Sequence, residues 1–499
     1  MLQTLVLLLI SSSLKHSTAH HFFDPDAINF PLRNVQHSIN LDTFVTSERN
    51  ITAGKCEHVS SQQPLVLNLP GLGMSSPPNP YPGFIDSSTV TCLNLASNDI
   101  FQVVPGSFER LPNLSYLDLS KNRIQLCDFF NFGNPHKSLV TLIIEENSPP
   151  IDNIDHTIGK SECFPKLRHL YLRRNSIRSL NFSLRKAFPA LTHLFLSDNS
   201  LDSQTFIRDL PPTLTHLFLE HNLISSLDCK IVRDVQVLHL DGNIVRAICH
   251  SNCRETSLRL EGAHKLTELT ISSNRITEIE SCAFQDSRSL RVLNVAGNSL
   301  EEIKRETLER LADLRELNLD DNHLTGVPNL CKNNQLTSVS LRRNKLRTIR
   351  RESFKGLHRL KCLFLGGNQI RSIEAGSFED LESLTDLDLS SNDLDFIPSD
   401  WLKWQWNLRT LDVRGNRFKS LEQMSLSSAP LLSTIYLQDN PVSHVSGAVV
   451  AKLSPNVVVH LRHECSAGGR DSRSECHARC NEQEVRERNE TYSRWINNL

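Results

Sequence analysis

Apolar residues recur along this chain in a fixed figure, L-x-x-L-x-L-x-x-N, plain in LTHLFLSDN at 191–199, LTHLFLEHN at 214–222 and LRHLYLRRN at 167–175. The L-x-L portion alternates apolar and variable positions, which predicts a short strand with both leucines on one face. The closing asparagine marks each repeat, at Asn98, Asn122, Asn147, Asn175, Asn199, Asn222, Asn243, Asn274, Asn298, Asn322, Asn344, Asn368, Asn392, Asn416 and Asn440. Successive marks lie 21 to 31 residues apart, most often 24. A period of this length predicts a stacked array in which each unit buries its apolar face against its neighbours. A degenerate sixteenth unit is readable in NVVVHLRHE at 456–464, and SLRLEGA at 257–263, inside the longest gap, is a further candidate.

Stacking predicts a parallel sheet with strands about 4.8 Å apart. The repeated asparagine is expected to turn inward and satisfy backbone groups that the bend leaves unpaired. A second apolar row closes the far wall: Phe108, Phe132, Phe284, Phe354 and Phe378 each fall ten residues after their asparagine, and Leu308 and Leu402 share that offset. The strand side is the shorter wall, so the array is expected to curve with its strands inside. The fold class is thus an α/β solenoid: a curved horseshoe with a concave parallel sheet and an irregular, short-helical convex side, of about 15–16 repeats.

The variable positions of the strands carry the candidate site. The slot before the second leucine holds His169, His193 and His216, and the slot between the paired leucines holds Tyr171, Phe195, Phe218 and His239. The same inner slot is Asn94 and Asp118 earlier, and Thr270, Asn294, Asn318 and Ser340 later. Since the leucines fill the core, these histidines and aromatics are expected to project from the concave face. Two readings stand side by side: a ladder of cross-strand stacks that stabilises the sheet, or an exposed patch that binds a partner. The same repeats lose the outer phenylalanine, with Arg185, Asp209, Val232 and Cys253 at its offset. The spacing offers no third metal-ligand type, so neither a metal nor a cofactor is expected. WLKWQW at 401–406 places Trp401, Trp404 and Trp406 on the return segment. Two of them are expected to pack around Leu402, the alternative being an exposed contact site.

Composition adds a compartment. Residues 1–19 open with LQTLVLLLI and reach Ser17 and Ala19, which reads as a signal peptide cleaved after Ala19. Asn50, Asn113, Asn181 and Asn489 head glycosylation sequons, meaningful in a secretory setting. No later stretch is long and apolar enough to span a bilayer. Lys and Arg number 54 against 56 Asp and Glu, a net charge of −2 that points to neither nucleic acid nor membrane. The expected organisation is signal peptide 1–19, N-terminal cap with a Pro-rich loop 20–89, solenoid 90–464 and a Cys-containing C-terminal cap with a charged tail 465–499. Thirteen cysteines make an odd count. Cys56 with Cys92 is the expected N-terminal clasp, and Cys229 with Cys249 a pair between neighbouring repeats. Of Cys465, Cys476 and Cys480, two close the C-terminal cap and the third is available to link a homo- or heterodimer.

No catalytic motif survives inspection. IGKSE at 158–162 lacks the glycine spacing of a phosphate loop, and neither G-x-S-x-G nor H-E-x-x-H occurs. The chain is therefore expected to be no enzyme. Residues 90–464 resemble an extracellular leucine-rich repeat array of the Toll-ectodomain type. The signal peptide, array, small cysteine cluster and charged tail are also similar to the leucine-rich immune proteins of mosquitoes, although the tail cysteines are spaced and a long coiled coil is missing. The resemblance implies a secreted innate-immune binder that recognises or scaffolds a complement-like protein. A matrix, cell-adhesion or growth-factor-carrier role in development is the alternative.

Overall fold

The computed structural model describes residues 65–461 apart from short internal stretches, of which 76–87 and 148–156 are the longest. The described residues divide into two units, 65–175 with 181–191, and 176–180 with 192–461. Every asparagine mark is preceded by a strand at the predicted place, six to four residues upstream. In the first unit Leu65–Asn68, Val90–Asn94, Tyr116–Asp118, Thr141–Ile143 and His169–Tyr171 pair in that order, all parallel. PLVLNL at 64–69 thus supplies the first described strand. In the second unit the parallel series runs from His193–Phe195 and His216–Phe218 to Thr434–Tyr436 and closes on Val458–His460, the degenerate repeat.

The strands are short, mostly three residues, and their leucines are wholly buried, as at Leu314, Leu317 and Leu319. The asparagines do the rest of the binding between repeats. Asn322 donates from Nδ2 to the carbonyls of Val295 (3.0 Å), Leu319 (3.2 Å) and Asp320 (3.0 Å), and its Oδ1 accepts the Leu300 N–H at 3.0 Å. The same set recurs at Asn298, Asn344, Asn392 and Asn416. To turn the side chain inward, the backbone bends sharply one residue earlier. At all fifteen marks that preceding residue has φ between 50° and 70°. Gly242, Gly297, Gly367 and Gly415 take this left-handed bend freely, whereas Lys121, Arg343 and nine other non-glycine residues hold it against steric strain.

The outer row is filled as predicted by Phe108, Phe132, Phe284, Phe354, Phe378, Leu308 and Leu402, each at most 2% exposed. In the first unit the row widens into a phenylalanine cluster. Phe130 packs against Phe188 at 5.3 Å, and Phe164 against Phe132 at 5.3 Å. The candidate repeat at 257–263 is corrected by the structure. Ser257–Arg259 does not join the main sheet, because Val237–His239 pairs directly with Glu268–Thr270. It forms instead an outer sheet with Ala247–Cys249, which also pairs with Glu278–Ile279. Buried Ile248 and Leu258 from this outer sheet line the wall where the phenylalanine row is interrupted. Only one tryptophan packs rather than two. Trp401 is buried, donates from Nε1 to the Met424 carbonyl at 2.7 Å and meets Phe378 at 5.7 Å, while Trp404 and Trp406 stay exposed.

Replacing Asn322 with Ala removes an acceptor and three donor contacts while leaving the backbone groups of Leu300 and Leu319 buried. The expected cost is about 2–4 kcal/mol, read as a fall in the midpoint of urea unfolding followed by circular dichroism. A midpoint equal to the parent's would show that the ladder contributes nothing.

Candidate functional site

In-register parallel pairing puts equivalent slots of adjacent repeats side by side. His193 faces His216 and Phe195 faces Phe218 across the pair. The two imidazoles stack with centroids 4.1 Å apart and planes 13° from parallel. The two phenyl rings stack at 4.5 Å and 4°. These separations are close to the strand spacing itself. The Thr of each THLF string fixes its neighbour: Thr192 Oγ1 lies 2.9 Å from His193 Nδ1, and Thr215 Oγ1 2.8 Å from His216 Nδ1. On the next strand His239 takes the inner slot, its ring edge-on to Phe218 at 4.8 Å. His169 and Tyr171 hold the same slots on a strand of the first unit, with His169 Nδ1 3.3 Å from Thr141 Oγ1.

The expected exposed apolar patch takes a different form. Tyr171, Phe195 and Phe218 are 4%, 2% and 3% exposed. Asn94, Asn294, Asn318 and Ser340 in the same slot elsewhere are also buried. The inner slot lies mid-sheet between close neighbours, so side chains that leave the leucine core are still covered by each other. What remains partly accessible is the histidine slot, where His169, His193 and His216 are half-buried.

Electrostatics separates the histidines. Burial disfavours the charged form of His216 and lowers its pKa below the ordinary imidazole range, with Glu268 opposing and His239 reinforcing the shift. His239 behaves in the opposite sense. Its Nδ1 is 3.0 Å from Glu220 Oε1 and its Nε2 2.9 Å from Glu268 Oε1. Burial works against its charge, but the two carboxylates outweigh it and hold the pKa up at about 10. Burial likewise acts against the Glu220 carboxylate, and hydrogen bonds from His239 and Ser197 outweigh it, so its pKa lies below the usual range. His216, whose charging burial opposes, therefore adjoins a charged histidine clasped by two acids.

Sequence reasoning missed Glu220, Glu268 and Ser197, which stand in slots that read as ordinary polar surface. Their signal is register: Ser197 and Glu220 each follow their last leucine by one residue, in the two repeats that precede that of His239, and Glu268 stands before a strand leucine of the repeat whose strand pairs with that of His239.

The cysteines depart from expectation. Cys249 bonds to Cys253, not to a neighbouring repeat, since both lie in one tight loop with Cα atoms 5.8 Å apart. The proposed partner Cys229 lies outside the described residues. Cys92 is disulfide-bonded, whereas Cys56, Cys465, Cys476 and Cys480 lie outside the described residues. Cys163, Cys282 and Cys331 are free and exposed, and Cys362 is free and half-buried, so unpaired thiols also occur within the array. Asn113 and Asn181 are exposed, as a sugar acceptor must be; Asn50 and Asn489 lie outside the described residues.

A leucine rich repeat family profile matches residues 85–129, 264–324 and 334–394. The chain is a leucine-rich repeat solenoid. Among solved structures, this solenoid is similar to a leucine-rich repeat protein of Leptospira interrogans, 22% identical, over 79% of this chain and 95% of that one, with a TM-score of 0.63. It is similar also to the glycosylated Toll–Spatzle complex of Drosophila, 19% identical, over 75% of this chain and 55% of that chain, with a TM-score of 0.57. Against that complex the solenoid spans about half the length of the matched chain. No curated protein sequence matches it significantly. Among the described residues no helix is long and apolar enough to cross a membrane.

The buried stack makes a sharp prediction for stability. Phe218→Ala opens a hole between Phe195 and His239 and is expected to cost about 3–5 kcal/mol, measured as a shift in denaturation midpoint. A cost below about 1 kcal/mol, normal for exposed substitutions, would mean that the ring is not held in the sheet.

Proposed function

We propose that this solenoid is a secreted, non-enzymatic binding protein that engages a protein partner over the histidine slots of His193 and His216, in innate-immune recognition. The observation that carries this reading is the paired stack: two half-buried imidazoles beside two stacked phenyl rings, with the charging of His216 opposed by burial. A neutral, half-buried imidazole can lose its remaining water under a partner at little cost, whereas a charged one cannot. The aromatics elsewhere on the sheet are used differently. Phe364 is covered by the Arg342 guanidinium at 4.3 Å, and Tyr436 by Arg414 at 5.3 Å and His460 at 4.8 Å. The immune role and the extracellular compartment rest on the signal-like start, the sequons and the resemblance to secreted repeat proteins of immunity.

The double variant His193→Ala, His216→Ala is expected to keep its circular dichroism and lose partner capture from extracellular fluid by about thirtyfold or more, as central anchor residues do. Capture of the same protein at parental affinity would dismiss the site. Expression in secretory cells followed by glycosidase treatment should lower the apparent mass; an unmodified intracellular product would dismiss the compartment.

Acidity provides an independent check. The folded-state pKa of His216 is depressed, so its favourable contribution is full above the ordinary value near 6.5 and is lost as pH falls through its lower folded value. Both stability and partner affinity should therefore decline as pH falls below about 6.5, and His216→Ala should flatten that decline. An affinity that rises on acidification would contradict a neutral platform.

A further inference from the structure

Beside the stack, and apart from the binding reading above, three side chains converge whose chemistry is that of a metal site. Glu220, His239 and Asp241 each offer one ligand atom, and these atoms lie within 4.8 Å of one another. Glu220 and Asp241 both stand one residue past the last leucine of adjacent repeats, and His239 ends the strand that leads to Asp241. All three are half-buried.

Each would-be ligand is also held from behind. His239 uses Nε2 for Glu268 at 2.9 Å, which leaves Nδ1 facing Glu220. Glu220 accepts the Ser197 hydroxyl through Oε2 at 2.5 Å, leaving Oε1 turned to His239. Asp241 accepts the Ser272 N–H through Oδ1 and the Thr270 hydroxyl through Oδ2, both at 2.5 Å. A carboxylate on the far nitrogen of a histidine, and hydrogen bonds that fix carboxylate ligands, are the arrangement that orients metal ligands in proteins. Among the described residues neither Glu220 nor Asp241 forms an ion pair with a lysine or arginine; the positive charge beside Glu220 is the His239 imidazolium, and zinc binding would replace its Nδ1 proton, which leaves to solvent.

We propose that Glu220, His239 Nδ1 and Asp241 form a three-ligand site for a divalent transition-metal ion, zinc above all, with a fourth position left for water or a donor from a bound molecule. The donor set decides the class: an imidazole with two carboxylates suits zinc, whereas magnesium and calcium take oxygen ligands. Bonds of about 2.1 Å in a tetrahedral site put ligand atoms about 3.4 Å apart, and Nδ1 and Oε1 are already separated by 3.0 Å. Every ligand atom already lies within 4.8 Å of the others, so the Asp241 carboxylate closes on the ion by a side-chain adjustment alone.

The test is calorimetric titration of chelator-treated, desalted full-length protein with zinc chloride, and separately with magnesium chloride. One equivalent of zinc should bind saturably, and magnesium should not. His239→Gln and Asp241→Asn preserve hydrogen-bonding shape, so both should melt near the parent while binding zinc at least about tenfold more weakly. His216→Ala, which removes a neighbouring imidazole outside the ligand set, should retain parental zinc affinity. X-ray absorption of the zinc-loaded parent should show a first shell of nitrogen and oxygen without sulfur. The proposal is overturned if zinc produces no saturable binding, if neither ligand variant weakens it, or if the first shell contains sulfur from the free cysteines. Loss of partner capture with zinc binding intact would dismiss only the binding surface, and the reverse only the metal site.

Discussion

The inward-turned asparagine is the interaction on which the rest of this structure depends. Strands of three residues provide few ladder hydrogen bonds, and leucine burial is non-directional, so neither fixes how one repeat sits on the next. The asparagine does. Its Oδ1 takes an N–H from the preceding repeat, and its Nδ2 spans a carbonyl of that repeat and carbonyls of its own. Each such residue is therefore a crosslink between neighbours, and a shift of one residue would strand several buried polar groups at once. The cost is a left-handed backbone bend before every asparagine, carried mostly by residues other than glycine. That recurring strain is tolerated because the buried hydrogen bonds overdetermine the turn.

Exact register has a consequence on the concave side. Whatever occupies one slot in two adjacent repeats is brought to about the strand spacing, so a repeated word becomes a stack. THLF written twice yields an imidazole stack and a phenyl stack. The same rule places His239 against Phe218 and between Glu220 and Glu268. Chemistry on this surface is thus assembled across repeats, with each repeat contributing one member. The result is a steep local contrast: His216, whose charging is opposed by burial, beside His239, whose charge two carboxylates secure.

The outer wall obeys looser rules. Where the phenylalanine offset is kept, as at Phe354 and Phe378, rings stack from repeat to repeat at 6.0 Å. Where it is lost, the wall is rebuilt by a small outer sheet and a local disulfide between Cys249 and Cys253. The change coincides with the longest interval between asparagines. Extra chain was absorbed outward, and the concave sheet continued without interruption.

The sequence by itself determined the period, the fifteen strand positions, the buried asparagines and the phenylalanine row, because each follows from a local pattern repeated in register. It also located the slots of His193, Phe195, His216 and Phe218. Only the tertiary structure decided that the phenyl rings are buried, since exposure depends on what neighbouring strands lay over a side chain and not on which way it leaves its own strand. The tertiary structure alone likewise paired Cys249 with Cys253 and sent Ser257–Arg259 to the outer sheet. The cluster of Glu220, His239 and Asp241 was invisible for the same reason: His239 was singled out only with the aromatics, while Glu220 and Asp241 stand in unremarkable polar slots and acquire a shared chemistry with it only when the repeats stack.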